Sequence, residues 1–209
     1  MQDLVLLVAD KNMQYALSGA LSRPQALGMR PISWEFRTHP ARDGGVRTTG
    51  PQILAGECSR FQHALMVLDF EGCGADALDP LALEAELDQR VRDRWKDSGK
   101  TIVIVPEVDV WVWGADNALR EVFQWPLEGS IRDWLRQRGF EISPEGKPSR
   151  PKEALEAMRT VHRKPRSSAL YEKITSRISL QNCSDPAFIR LSQQLRAWFP
   201  PDSETSGSL

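Results

Sequence analysis

Carboxylates stand at the ends of three apolar runs in this sequence. Asp10 follows DLVLLVA (3–9), Asp69 and Glu71 follow ALMVL (64–68), and Glu107 and Asp109 follow TIVIV (101–105), just past Pro106. Asp116 lies a little further on. If the three runs are neighbouring parallel strands, these acids converge on one edge. Carboxylates crowded together repel each other and destabilise the fold unless a cation neutralises them. A hard, all-oxygen cluster suits Mg2+ or Mn2+, ions that organise phosphoryl transfer or hydrolysis. The competing role for an acid at a strand end is helix capping. Asp10 and Asp116 both stand where a helix begins and fit that role. Asp69 and Glu71 alternate on one strand end and have no joint capping task.

The elements that position these acids follow from periodicity. Residues 3–9 read as a strand buried on both faces, followed by a helix through Met13, Leu17, Ala20 and Leu21 with Asp10 as its cap. Residues 31–37 alternate Ile32, Trp34 and Phe36 with Ser33, Glu35 and Arg37, as in an edge strand with one wet face. Residues 38–60, rich in Gly, Arg, Thr and Pro, read as a long loop with a short helix at its end. After the strand 64–68 comes a glycine-rich turn. Asp79-Pro80 then opens a helix to Lys96 with Leu83, Leu87, Val91 and Trp95 on one face. The strand 101–105 leads through WVWGADNAL into a further helix. Beyond residue 126 the pattern is helical: a start at Ser130 with a stop at Gly139, a helix opened by Pro151, one over 168–178, and one opened by Asp185-Pro186. Strands alternating with helices predict an α/β fold, a small, mainly parallel sheet with flanking helices over residues 1–125. A helical C-terminal portion, 126–199, packs on it, and 200–209 is a disordered tail. In such sheets the carboxyl edge holds the ligands.

Composition narrows the class. The chain has 209 residues, 27 Lys+Arg against 28 Asp+Glu, and 41% hydrophobic residues, which suit a globular fold. No apolar stretch is long enough for a membrane span, and the N-terminus reads as a strand rather than a signal peptide. Three scattered cysteines fit neither a disulfide framework nor a zinc knuckle, so the expected setting is the reducing cytoplasm. The near-neutral total hides an asymmetry: residues 130–199 carry 14 Lys+Arg against 7 Asp+Glu, and residues 1–129 carry 13 against 19. An acidic part suits metal ligands and a basic part suits phosphate, although two such surfaces also attract each other.

The acidic motifs carry a resemblance. LDFEG (68–72), EVDVWVWGAD (107–116), YEKITSRISL (171–180) and CSDPAFIRLSQQL (183–195), with VADKNM at 8–13, resemble the TOPRIM-like fold of topoisomerases, primases and related nucleases. More narrowly, they resemble a family of short TOPRIM-like proteins from bacterial anti-phage defence loci, of the kind that serve as subunits of a methylation-associated defence system. The spacing of Glu107, Asp109, Trp111 and Asp116 is the most specific part. The resemblance implies a TOPRIM-like sheet with a Mg2+ (or Mn2+) site formed by Asp10, Asp69, Glu71, Glu107 and Asp109. It implies Glu107 as a catalytic group in a hydrolase acting on nucleic-acid phosphodiesters; Lys11, a cation where the family has glycine, either joins Glu107 as a catalytic group by steadying a phosphate or competes with Mg2+. It also implies other defence-system proteins as partners. The chain departs from the family pattern in having Asp10 and Met13 for two glutamates, Lys11 for glycine, and Asp-Phe-Glu for Asp-x-Asp. The alternative is a degenerate scaffold or adaptor that docks on such partners, and a third reading is a small-molecule phosphohydrolase.

Other candidates are weaker. Arg159, Arg163, Lys164 and Arg166 form a basic run that suits a phosphate backbone or a solvated linker. His39, His63 and His162 have no ligand spacing. Cys73, in a GCG turn, is expected to be exposed, with no neighbour to activate it. Trp111 and Trp113 suit the core or a stacking platform.

Overall fold

The computed structural model describes residues 1–114, 116–125, 129–165, 167–177 and 183–201. Four strands form one all-parallel sheet in the order β2-β1-β3-β4: β1 (Gln2–Val8), β2 (Trp34–Thr38), β3 (Phe61–Asp69) and β4 (Gly99–Ile104). The predicted α/β class, flanking helices and helical C-terminal portion are all present, and β2 is an edge strand as its alternation required. The central strands β1 and β3 are covered on both faces, so Leu4–Val8 and Ala64–Leu68 are buried without interruption. Among the described residues, no helix is long and apolar enough to cross a membrane.

Local chemistry sets the helix starts. In α1 (Lys11–Leu21), Asp10 Oδ1 accepts the Met13 N–H at 3.0 Å. In α4 (Pro80–Trp95), Asp79 caps Leu81 and Ala82, and Leu83, Leu87, Val91 and Trp95 are the buried stripe. A short α2 (Pro24–Leu27) follows α1.

The segment 38–60 is not a long loop. It contains α3 (Arg42–Ala55), 14 residues with three glycines and Pro51 inside. Low propensity hid this helix, and tertiary contacts hold it. Pro51 has no N–H for the Arg47 carbonyl four residues back. Arg90 of α4 takes over, donating to Arg47 O at 2.9 Å and to Thr48 O at 2.7 Å. The glycines set how closely α3 lies on the sheet. A Cβ at Gly50 would stand 2.7 Å from Met66 Sδ and 3.0 Å from Leu7 Cδ2.

The C-terminal helices are α5 (Asp109–Val112), α6 (Asp116–Phe123), α7 (Ile131–Arg136), α8 (Pro151–Val161), α9 (Ala169–Thr175) and α10 (Pro186–Trp198). Ser130 accepts from Asp133 N–H and Gly139 takes a left-handed φ of 78°, as the start and stop signals required. The end predicted for the helix at 168–178 falls outside the described residues, as do Arg166 and residues 202–209 of the tail. α9 packs on α1, α8 on α5 and α10 on β4. Trp111 and Trp113 are buried and tie α5 and the residue after it to α10 and α8. Trp111 Nε1 donates to Asp185 at 3.0 Å, and Trp113 Nε1 to the Pro151 carbonyl at 3.1 Å. That burial leaves neither ring free to stack on a base. Cys73 is likewise buried, not exposed, because its turn folds inward, where Arg47 holds its carbonyl at 2.8 Å.

Candidate functional site

The carboxyl ends of β1, β3 and β4 open into one cleft of about 940 Å3. Asp10, Lys11, Asp69, Glu71, Glu107 and Asp109 all line it. Parallel pairing is what unites them. Asp69 is paired with Ile104, and the Glu71 N–H donates to the Pro106 carbonyl at 2.9 Å, so the segments beyond β3 and β4 run on side by side. A cis Val105–Pro106 peptide lies just before Glu107.

Each acid has its own surroundings. Asp10 is the cap of α1 described above, so its capping role is real and coexists with a place in the cleft. Asp69 Oδ1 accepts the Val108 N–H at 2.8 Å. Burial pushes its carboxyl well above the usual range, and the neighbouring charges of Asp43, Glu107 and Asp109 push the same way. Asp109 is buried and accepts the Tyr171 hydroxyl at 2.6 Å; burial raises its pKa against that hydrogen bond. Glu107 is buried and raised by burial, while Lys152 Nζ, bonded to it at 3.0 Å, pulls it back. Lys152 in turn is raised, chiefly by that bond. Glu71 and Lys11 are exposed.

Among the lining residues that escape sequence reasoning, Asp43, Arg42, Lys152 and Tyr171 matter most to the charge of the cleft. Asp43, in the first turn of α3, accepts the Asp69 N–H at 2.7 Å, and burial raises its carboxyl. It sits in the segment read as a loop, so no periodicity marked it. Arg42 precedes it with a φ of 49°. Lys152 and Tyr171 arrive from α8 and α9, far along the chain. The YEK motif is the one sequence signal that pointed at Tyr171, and it said nothing of a bond to Asp109.

The basic run reaches the cleft at one point. Arg159 lines it but is committed to Glu156 at 2.6 Å and to the Lys164 carbonyl at 2.7 Å. Arg163 and Lys164 lie outside its lining, and Arg166 is outside the described residues. Asp116 also lies elsewhere, paired with Arg132. Of the histidines, only His39 lines the cleft. His39 holds the Ala41 N–H and Thr49, His63 stacks on Trp198, and His162 packs on Trp125.

The donors suit a hard cation in kind, since all are carboxylate oxygens. Their spacing is another matter. Among the described residues, no group of three or more His, Cys, Asp or Glu side chains stands together as a set that could hold a metal ion. Lys152 and Tyr171 already engage Glu107 and Asp109. Comparison with family models, with curated proteins and with solved structures gave no match.

Proposed function

We propose that this chain is a component of a bacterial anti-phage defence system whose cleft takes a phosphodiester of nucleic acid together with Mg2+ or Mn2+. The observation that supports this chemistry is the meeting of acids from three adjacent strand ends, Asp10, Asp69 and Glu107, in a cleft that also presents Lys11 and Lys152. The defence role and the nucleic-acid substrate rest on the motif resemblance, and a cytoplasmic setting goes with both.

In this reading Asp69, Glu71, Glu107 and Asp109 would have to draw together around the cation with Asp10, since they do not stand as a ligand set here, and Lys152 and Tyr171 would have to release Glu107 and Asp109. A bound cation supplies neutralising charge to the phosphate oxygens. Lys11 and Lys152, both exposed at the rim, meet the same oxygens as point charges. Glu107, raised toward neutrality by burial, is suited to proton transfer.

A second reading draws on the Lys152–Glu107 and Tyr171–Asp109 bonds. An acidic cluster neutralised from within needs no cation, and the chain then serves as a scaffold for a defence-complex partner. Calorimetric titration with Mg2+ or Mn2+ on the wild type and Asp69→Asn separates the two. Asparagine keeps an acceptor for Val108 N–H and removes the charge. Saturable binding lost in the variant, with metal-dependent cleavage of DNA or RNA, supports the hydrolase. No binding at millimolar metal overturns it and leaves the scaffold.

A further inference from the structure

The two edges of the sheet are finished differently. On the free side of β4, side chains take up the backbone. Asp88 accepts from Thr101 N–H, Glu84 accepts from Val103 N–H at 2.8 Å, and Arg190 donates to Val103 O at 3.2 Å. Glu84 is itself buried and doubly bonded by Arg190. This edge is closed to another strand.

The β2 edge is open. Leu4 N–H donates to Ser33 O at 3.1 Å and His39 N–H to Val8 O at 2.9 Å. In a parallel ladder those end bonds turn the backbone of Glu35 and Arg37 toward β1, and that of Trp34, Phe36 and Thr38 outward. Among the described residues, nothing accepts a hydrogen bond from those three outward N–H groups. One outward carbonyl, that of Phe36, accepts from the Arg37 guanidinium at 3.0 Å, which leaves it a second lone pair. Proteins usually blunt such an edge.

The side chains along this edge are complementary to themselves. We infer that β2 pairs antiparallel with β2 of a second copy of this chain, about a two-fold axis through Phe36, joining two four-stranded sheets into one. In that register Phe36 faces Phe36 and Trp34 faces Thr38, each pair exchanging the outward backbone bonds. Glu35 faces Arg37 of the second copy, twice. These are the non-hydrogen-bonded positions, where opposed side chains stand nearest and opposite charges stabilise. The neighbouring registers are excluded by the same charges. An axis through Glu35 opposes Glu35 to itself, and an axis through Arg37 opposes Arg37 to itself. Each strand's charges are already held on one face: Arg37 bonds Glu35 at 3.0 Å and Glu57 at 2.7 Å, and Arg60 stands 3.5 Å from Glu35. Side-chain entropy lost on pairing is therefore small. Trp34 and Phe36 are half-buried, so pairing covers their remaining apolar surface on the other face.

Sedimentation equilibrium on the full chain, over about a hundredfold range of concentration, tests this. The wild type is expected to dimerise. Glu35→Arg and Arg37→Glu each place like charges opposite one another twice and should weaken self-association by about tenfold or more. Mixed in equal amounts, the two variants regain both opposite pairs, and a heterodimer should form. A wild type that stays monomeric overturns the inference, as do variants that dimerise like the wild type or a mixture that does not associate. Hydrogen exchange of the wild type covers the case in which a variant fails to fold. The amides of Trp34, Phe36 and Thr38 should slow as concentration rises, and indifference to concentration counts against the pairing.

Discussion

The backbone N–H of Asp69 donates to the carboxylate of Asp43 at 2.7 Å, so an acid at the end of β3 and an acid at the start of α3 face one another across the floor of the cleft. The hydrogen bond sets the distance and the two charges oppose it. Burial adds to the opposition, and both carboxyls are raised, as are those of Glu107 and Asp109.

That arrangement fixes the sign of a pH effect. A carboxyl with a raised folded pKa binds more protons folded than unfolded between its two pKa values. Its contribution is complete below the ordinary values of 3.8 for Asp and 4.5 for Glu, and is lost as pH rises through the raised folded values. Without divalent cations, these carboxyls should therefore make the protein more stable at pH 5.5 than at pH 7.5, against His63 and His162, which burial lowers and which act in the opposite sense. Chemical denaturation at the two values measures it. Asp69→Asn should shrink the difference, and an unchanged slope in that variant would assign the effect elsewhere. Below the window Asp3 works in reverse. Its carboxyl is lowered, with Arg30 and Ser33 overcoming burial, so its contribution disappears in acid.

Lys152 competes for the place a cation would take beside Glu107. Its side chain is 60% exposed while that of Glu107 is 9% exposed, so the pair is solvated at one end and weakly held. Lys152→Met should tighten Mg2+ or Mn2+ binding by several-fold to about tenfold, since it removes a positive charge from the site. Titration calorimetry reads this directly. Weaker binding in the variant would mean that the lysine helps to build the site.

Gly50→Ala offers opposed expectations. Helix propensity alone favours alanine by about 1 kcal/mol. The approach of 2.7 Å to Met66 Sδ and 3.0 Å to Leu7 Cδ2 forces α3 away from the sheet. We expect a net loss of about 1–3 kcal/mol, as for other overpacked cores. A rise in melting temperature would show that α3 is free to shift.

Glu84 is buried on the side of α4 that reaches the β4 edge, and Arg190 meets both of its oxygens at 2.8 Å. Among the described residues, Arg190→Ala leaves that charge with only Lys100 and the Val103 N–H nearby, at a cost of about 3–5 kcal/mol. Adding Glu84→Gln should recover part of the loss. Denaturation of Arg190→Ala, Glu84→Gln and the double variant supplies the three numbers, and strict additivity would refute the coupling.

The sheet was legible because its strands announce themselves. Leu4–Val8, Ala64–Leu68 and Ile102–Ile104 are apolar without a break, and only burial on both faces needs that. Capping residues such as Asp10, Asp79 and Asp185 marked helix starts through bonds that span three residues or fewer. The acids of the cleft were legible for the same reason, each standing at the end of a strand or within five residues past it. What stayed hidden depends on contacts distant in sequence. α3 carries glycines and a proline that local propensity counts against it, and the Arg90 bonds and the close fit on β1 and β3 that offset them leave no periodic trace. Asp43 was hidden with its helix. Lys152 and Tyr171 reach their acids from 45 and 62 residues away.

The strand order has a consequence for how this site tolerates change. The chain leaves β1 toward β2 on one side and leaves β3 toward β4 on the other. Right-handed crossovers in opposite directions must cover opposite faces of the sheet, so the connections part above β1 and β3. The hollow between them is therefore a product of connectivity. An exchange that keeps the acid's hydrogen bond, as asparagine at position 69 keeps an acceptor for the Val108 N–H, alters the charge of the hollow and leaves the hollow standing.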